Sequence, residues 1–228
     1  MSELNGTTVE FPANGGMAKG YLTKPEGGTG PGIIVLQEWW GLVGHIKHVA
    51  DRFAAAGYVA LAPDLYHGQS TKSPDDAGKL MMALNIQQTE KDLRGAVDYL
   101  AANASGDKIG IVGFCMGGQL ALFAASQNAR VGACVDFYGI HPNVKPDYSQ
   151  LKAPVLGLFA ENDGFVNPAV VEQLEGTLRN AGVTVDFHIY PGVDHAFFND
   201  ERDVYDPAAA ADAWTRVQNF LAEHIKAS

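Results

Sequence analysis

Apolar positions in this chain fall into short runs and 3.6-residue stripes that alternate from one end to the other. Residues 7–11 and 17–22 predict an opening hairpin around Asn14-Gly15-Gly16, a strong turn signal. The apolar run 33–36 predicts a strand buried on both faces. A helical stripe over 43–56 stops at Gly57, and 58–62 predicts the next strand, ended by Pro63-Asp64. A long helical pattern covers 75–102, with a break near Asn85. Residues 109–113 predict a strand, 117–126 a helix, and 131–138 and 155–160 further apolar strands. A helix over 168–181 is closed by Gly182, a strand covers 183–190, and an alanine-rich helix covers 207–225. Eight strands with interleaved helices and short connections predict a mostly parallel, doubly wound α/β sheet flanked by helices. No repeat or low-complexity segment interrupts the alternation, so residues 1–228 read as a single domain.

Composition narrows the class. At 46% hydrophobic, the 228-residue chain can bury a large core. Its net charge of −10 argues against nucleic acid or an anionic membrane as partner, and leaves a small-molecule substrate open. Two cysteines, Cys115 and Cys134, make no disulfide scaffold. The opening residues are polar, and no apolar run approaches the ~18 residues of a membrane span. The expectation is a soluble cytoplasmic protein, monomeric or weakly dimeric, with neither cofactor nor metal. His45 and His48, spaced i,i+3, have no third ligand at metal-site spacing and are expected in exposed or capping roles. His67, His141, His188 and His224 have no evident partner in the sequence.

The chemistry concentrates in Ile109-Gly110-Ile111-Val112-Gly113-Phe114-Cys115-Met116-Gly117-Gly118. An apolar strand runs into a Gly-x-Cys-x-Gly-Gly turn and then a helix, the context of a nucleophile elbow with cysteine in the place of serine. Glycines two residues either side leave room where a β-carbon would collide, and the thiol sits at a helix N-terminus that favours thiolate. The bland alternative is a core cysteine beside a Gly-rich turn. No lysine follows to make a phosphate loop, and the glycine spacing does not fit a dinucleotide fingerprint. Cys134 alternates within its strand and reads as an inert core thiol.

In a doubly wound sheet, ligands meet the carboxyl ends of strands. Those ends carry Gln37-Glu38-Trp39-Trp40, Asp64-Leu65-Tyr66, Cys115, Tyr138, Asp163 and His195. Asp163, alone, reads equally as an Asx-turn or helix-cap residue, and a lone loop histidine is more often bland. The order Cys115, Asp163, His195 is the chain order of the α/β-hydrolase triad and favours the catalytic alternative for both. Asp194 is a competing carboxylate, but adjacent side chains point apart. Glu38 is either a solvated loop residue or a carboxylate that tunes the thiol by holding or taking its proton. Trp39, Trp40, Tyr66, Tyr138, Phe197 and Phe198 cluster near strand ends and suggest an apolar pocket over the sulfur.

With these residues placed, the chain resembles the dienelactone hydrolase (carboxymethylenebutenolidase) family of the α/β-hydrolase fold. The carriers are Leu36-Gln37-Glu38-Trp39-Trp40-Gly41-Leu42, Ala62-Pro63-Asp64-Leu65-Tyr66, the Cys115 elbow, Glu161-Asn162-Asp163 and Asp194-His195-Ala196-Phe197. The resemblance implies a hydrolase of small esters or lactones, with Cys115 as nucleophile, His195 as base and acid, and Asp163 as its orienting partner. It further implies that Glu38 contacts the resting thiol and that the backbone N–H groups of Trp39 and Met116 hold the oxyanion. Family members that open dienelactone hold its carboxylate with arginines, one of them four residues after the histidine. Here that position is Asn199, and the segment 70–79 before the elbow has no arginine. Lys72, Lys79 or Arg202 would have to compensate, and a lysine is a point charge, not a bidentate fork. A neutral or bulkier ester packed against Trp39, Trp40 and Phe198 is therefore expected. The rival class is a non-hydrolytic thiol protein, a redox sensor or small-molecule binder. Neither a resolving cysteine near Cys115 nor any gap in the Cys/Asp/His/Glu set supports it.

Overall fold

The computed structural model describes residues 3–225. Its elements are β1 (Thr7–Pro12), β2 (Met17–Thr23), β3 (Pro31–Leu36), α1 (Gly44–Ala55), β4 (Val59–Pro63), α2 (Pro74–Met82) and α3 (Ile86–Asn103). There follow β5 (Ser105–Phe114), α4 (Met116–Gln127), β6 (Val131–Phe137), β7 (Val155–Ala160), α5 (Pro168–Asn180), β8 (Val185–Tyr190) and α6 (Pro207–His224).

The strands form one sheet in the order β1-β2-β4-β3-β5-β6-β7-β8. β1 and β2 pair antiparallel across the Asn14-Gly15 turn, and β2 pairs antiparallel with β4; from β4 to β8 every pairing is parallel. The parallel strands are apolar on both sides because helices cover both faces. Along β3, Ile34 and Leu36 pack with Leu93, Val97 and Leu100 of α3 and Leu120 of α4. Ile33 and Val35, one residue out of phase, pack with Val49 and Phe53 of α1 and Val217 of α6. Each such side chain contributes about 1.5–3 kcal/mol by leaving water.

The predicted break at Asn85 is a true helix boundary. The Asn85 side chain accepts from the Gln88 N–H and starts α3, while Ser73 caps α2 through Asp76. β5 begins earlier than its apolar run suggests, because Ser105 is already registered with Pro31 of β3. Among the described residues, no helix is long and apolar enough to cross a membrane.

One topological detail places the site. α1 carries the chain from β3 to β4 on one side, and the α2–α3 connection returns it to β5 on the other side of β3. The carboxyl ends of β3 and β5 therefore flank a switch point, where sheets of this kind open a crevice. Glu38 follows the first of those ends and Cys115 the second.

Candidate active site

Cys115 links β5 to α4 in a sharp corner. Its backbone lies at φ 54° and ψ −120°, left-handed territory that costs a non-glycine residue about 1–3 kcal/mol. The surroundings hold it there. Its N–H donates to the Phe137 carbonyl, while its own carbonyl accepts from Gly118 and Ile140. A β-carbon at Gly113 would lie 1.9 Å from the Gly117 carbonyl oxygen, and one at Gly117 2.5 Å from that of Gln37. Both glycines are thus required by backbone contact. Met116, the first residue of α4, has no intrahelical acceptor for its N–H, and Trp39 follows Glu38 at the end of β3.

Asp163 and His195 come from the loops after β7 and β8. His195 Nδ1 and Asp163 Oδ2 are 2.5 Å apart, with the carboxylate fully buried and the imidazole partly exposed. The other oxygen of Asp163 accepts from the N–H groups of Phe165 and Val166. One carboxylate therefore serves as both the Asx-turn residue and the histidine's partner. Burial works to raise the Asp163 pKa, but His195 and the two amides outweigh it and hold the carboxyl below its usual range. Burial also opposes charge on His195, yet hydrogen bonds to Asp163 and Cys115 push it up to about 10. Asp194 is exposed and takes no part.

Glu38 is no solvated loop residue. It is 1% exposed, and burial raises its pKa against the countering charge of His45 and the hydrogen bond from Asn199. Asn199 Nδ2 donates to Glu38 Oε2 at 2.7 Å. Cys115, Glu38 and His195 all line one cleft of about 400 Å³, whose walls are predominantly apolar. Trp39, Trp40, Met81, Ile140, Pro142, Phe165, Ala196, Arg202 and Val204 complete it.

Several expectations need correction. Phe197 and Phe198 do not line the cleft: both are fully buried, Phe198 stacking on Phe114 at 5.4 Å. The left-handed turn at Ala196 (φ 66°) takes the chain inward after His195, so the paired aromatics join the core. Tyr66 is also buried, its hydroxyl on Met116 Sδ, and Tyr138 lies beneath the His195 ring at 4.8 Å. Burial pushes the Tyr138 phenol well up, with the charges of Glu38 and Cys115 adding to it. Asn199 is buried and engaged with Glu38, not the cleft wall. His45, expected in an exposed or capping role, is instead 1% exposed and bonded to Asp200, and α1 has no side-chain cap.

The other histidines have partners too: His67 pairs with Asp92, His141 meets the Met81 carbonyl, and His188 and His224 pack edge-on against Tyr190 and Phe220. Cys134 is wholly buried, and burial raises its thiol pKa.

Of the cations weighed for the substrate, Lys79 pairs with Asp76 in solvent and Lys72 lines a neighbouring groove. Arg202 reaches the cleft itself, its guanidinium 4.7 Å from the Trp40 ring centre. Met81, Ile140, Phe165 and Val204 were not anticipated on the wall. Phe165 alone carried a signal, a large aromatic in a polar loop two residues past Asp163; it remains 62% exposed.

A strained residue at a strand–helix corner, an Asp–His pair from the last two parallel strands and a cleft at the switch point define an α/β hydrolase. The dienelactone hydrolase family profile matches residues 18–225, and the chain belongs to that family. It is 41% identical to the protein named Usf of Aquifex pyrophilus, over 96% of this chain and 99% of that one. It is 38% identical to a candidate carboxymethylenebutenolidase of Aquifex aeolicus, over 97% of this chain and 100% of that one. Among solved structures, a candidate dienelactone hydrolase of Klebsiella pneumoniae superposes with a TM-score of 0.86 at 29% identity, covering 96% of this chain and 99% of that one. The protein is a carboxymethylenebutenolidase-like hydrolase of the carboxylic ester class.

Proposed function

We propose that this hydrolase works through Cys115 as nucleophile on small neutral esters or lactones. The observation that carries the reading is the shared cleft: the strained Cys115 opens into it beside His195, whose far nitrogen is fixed by Asp163. The thiolate adds to the carbonyl carbon, and the carbonyl electron pair moves to oxygen. The N–H groups of Met116 and Trp39 receive that oxyanion. Collapse expels an alkoxide, which takes the proton of His195 and leaves a thioester on Cys115. His195, now neutral, draws a proton from water, and the resulting hydroxide cleaves the thioester. Asp163 keeps the ring in one orientation and offsets its charge throughout. Glu38, on the wall of the same cleft, holds or takes the proton of the thiol.

The predominantly apolar walls support a neutral substrate with an apolar acyl or alcohol part. No observation favours the redox-sensor alternative, since Cys134 packs in the core of the other sheet face. The test is Cys115→Ala against an activated aryl ester. Turnover is expected to fall by at least about a thousandfold, and intact mass of the native protein should reveal an acyl adduct. Wild-type turnover in Cys115→Ala would discard the nucleophile.

A further inference from the structure

The loop between β4 and α2, residues 64–72, grips the chain on both sides of Trp39 and also reaches Met116, the two residues proposed above to receive the oxyanion. The Leu65 N–H donates to Gln37 Oε1 at 3.1 Å, the Thr71 N–H donates to the Trp40 carbonyl at 3.0 Å, and Ser70 bridges Gly41. A β-carbon at Gly41 would lie 2.5 Å from the Gln69 carbonyl oxygen, so the two segments meet backbone to backbone. At Met116 the Tyr66 hydroxyl donates to Sδ at 3.2 Å, with both side chains buried.

Asp64 shapes the loop, its two oxygens accepting from the N–H groups of Tyr66 and Gly68. Within that turn His67 sits at φ 51°, left-handed backbone that a non-glycine residue adopts only when its surroundings hold it there. Its Nε2 lies 2.9 Å from Asp92 Oδ2 on α3. Asp92 is 1% exposed; Oδ1 accepts from Gln88 Nε2 at 2.9 Å, whereas Oδ2 is buried with no hydrogen-bond partner among the described residues. The contact with His67 is therefore an ion pair, and an imidazolium there compensates a carboxylate that would otherwise be buried half-served.

We propose that His67, latched on Asp92, is a positioning residue that fastens the 64–72 loop to α3 and so keeps the Trp39 and Met116 amides aimed at the oxyanion. This rests on the nucleophile and oxyanion donors proposed above. Neither His67 nor Asp92 lines the cleft, so their effect on the reaction passes through the loop. Donors act only when aimed at the place where charge develops, and a misplacement of about 1 Å can cost about a hundredfold in rate.

The experiment compares two ways of modifying Cys115 in the full chain. An aryl trifluoromethyl ketone accepts the thiolate at its carbonyl carbon, the carbonyl electron pair moves to oxygen, and the adduct needs the oxyanion donors. Methyl iodide is displaced by the same thiolate, releases iodide and makes no oxyanion. In His67→Ala the inhibition constant of the ketone should rise at least about tenfold and kcat on an aryl ester should fall by a similar factor. KM and the methyl iodide rate should stay within about threefold. His67 is about half exposed, so the truncation removes little packing. Asp92→Asn, nearly unchanged in shape, should act in the same direction and serves if His67→Ala fails to fold. The double variant should be no worse than the worse single one, since the two residues act as one latch. Ketone affinity and kcat within about threefold of wild type in the folded variants would overturn the proposal, as would a methyl iodide rate that falls in step with them. A wild-type protein that forms no ketone adduct on Cys115 would sink the nucleophile and this inference together, whereas a normal wild-type adduct indifferent to both variants would sink this inference alone.

Discussion

Replacing Asp163 by asparagine tests the site with the smallest change of shape. The aspartate's two oxygens are both committed, one to His195 Nδ1 and the other to the N–H groups of Phe165 and Val166. An amide offers one oxygen and one NH₂ group. If the oxygen keeps the two backbone donors, the NH₂ faces His195 and forces its proton onto the other nitrogen, which can then no longer accept a proton from substrate or water. If the oxygen turns to His195, the NH₂ opposes two amide N–H groups and the turn loses its acceptor.

The first arrangement preserves two hydrogen bonds and should dominate. Wrong-tautomer histidines in triads of this construction lose about 10⁴ in kcat. We therefore expect kcat on a neutral aryl ester to fall by about 10³–10⁴, equivalent to about 4–5.5 kcal/mol of barrier. KM should stay within about threefold, since Asp163 does not line the cleft. The lost charge and strained bonding should cost about 1–3 kcal/mol of stability. At 2–4 °C per kcal/mol for a chain of this size, Tm should drop by about 2–12 °C. Steady-state kinetics and calorimetry on the same preparation separate the two effects. A folded Asp163→Asn variant with kcat within about threefold of wild type would refute the assignment of the Asp163–His195 pair to catalysis.

Three further outcomes are expected. Because the folded pKa of His195 is raised, its proton is present at neutral pH and is lost as pH rises through about 10; kcat on an alkyl ester, whose leaving group needs that proton, should fall there. Asp163→Asn should bring this basic limb down toward the ordinary histidine range near ~6.5, and a limb that does not move would detach His195 from proton donation. Glu38→Gln should displace the pH profile of Cys115 alkylation while leaving KM for a neutral ester within about threefold; an unchanged profile over roughly pH 5–9 would return Glu38 to a structural role. On matched activated esters, kcat/KM should favour the neutral one, and Arg202→Gln should lower the rate on the carboxylated ester by about tenfold with the neutral ester unaffected, the size of one charge-assisted contact. Wild-type preference for the carboxylated ester by more than about tenfold would show that Arg202 outweighs the apolar wall.

Periodicity made the strands, the helices and their order readable, since alternation and 3.6-residue stripes are local consequences of which face each element buries. The elbow was readable for a similar reason: Gly113 and Gly117 answer to contacts within a few residues of Cys115 or from the adjacent strand end. The order of Cys115, Asp163 and His195 identified a candidate triad before any distance was known. What neighbours share across the chain was not readable. Glu38 and Asn199 are 161 residues apart, and His45 and Asp200 155, and no local pattern marks either pair. The cleft wall is assembled from Met81 on α2, Ile140 after β6, Phe165 after β7 and Val204 before α6. Phe197 and Phe198 looked equally suited to it, but the turn at Ala196 sent them into the core. Sequence fixes an element's apolar face through its own periodicity; a loop side chain has no such period, and only packing of the whole molecule decides whether it meets solvent, substrate or core.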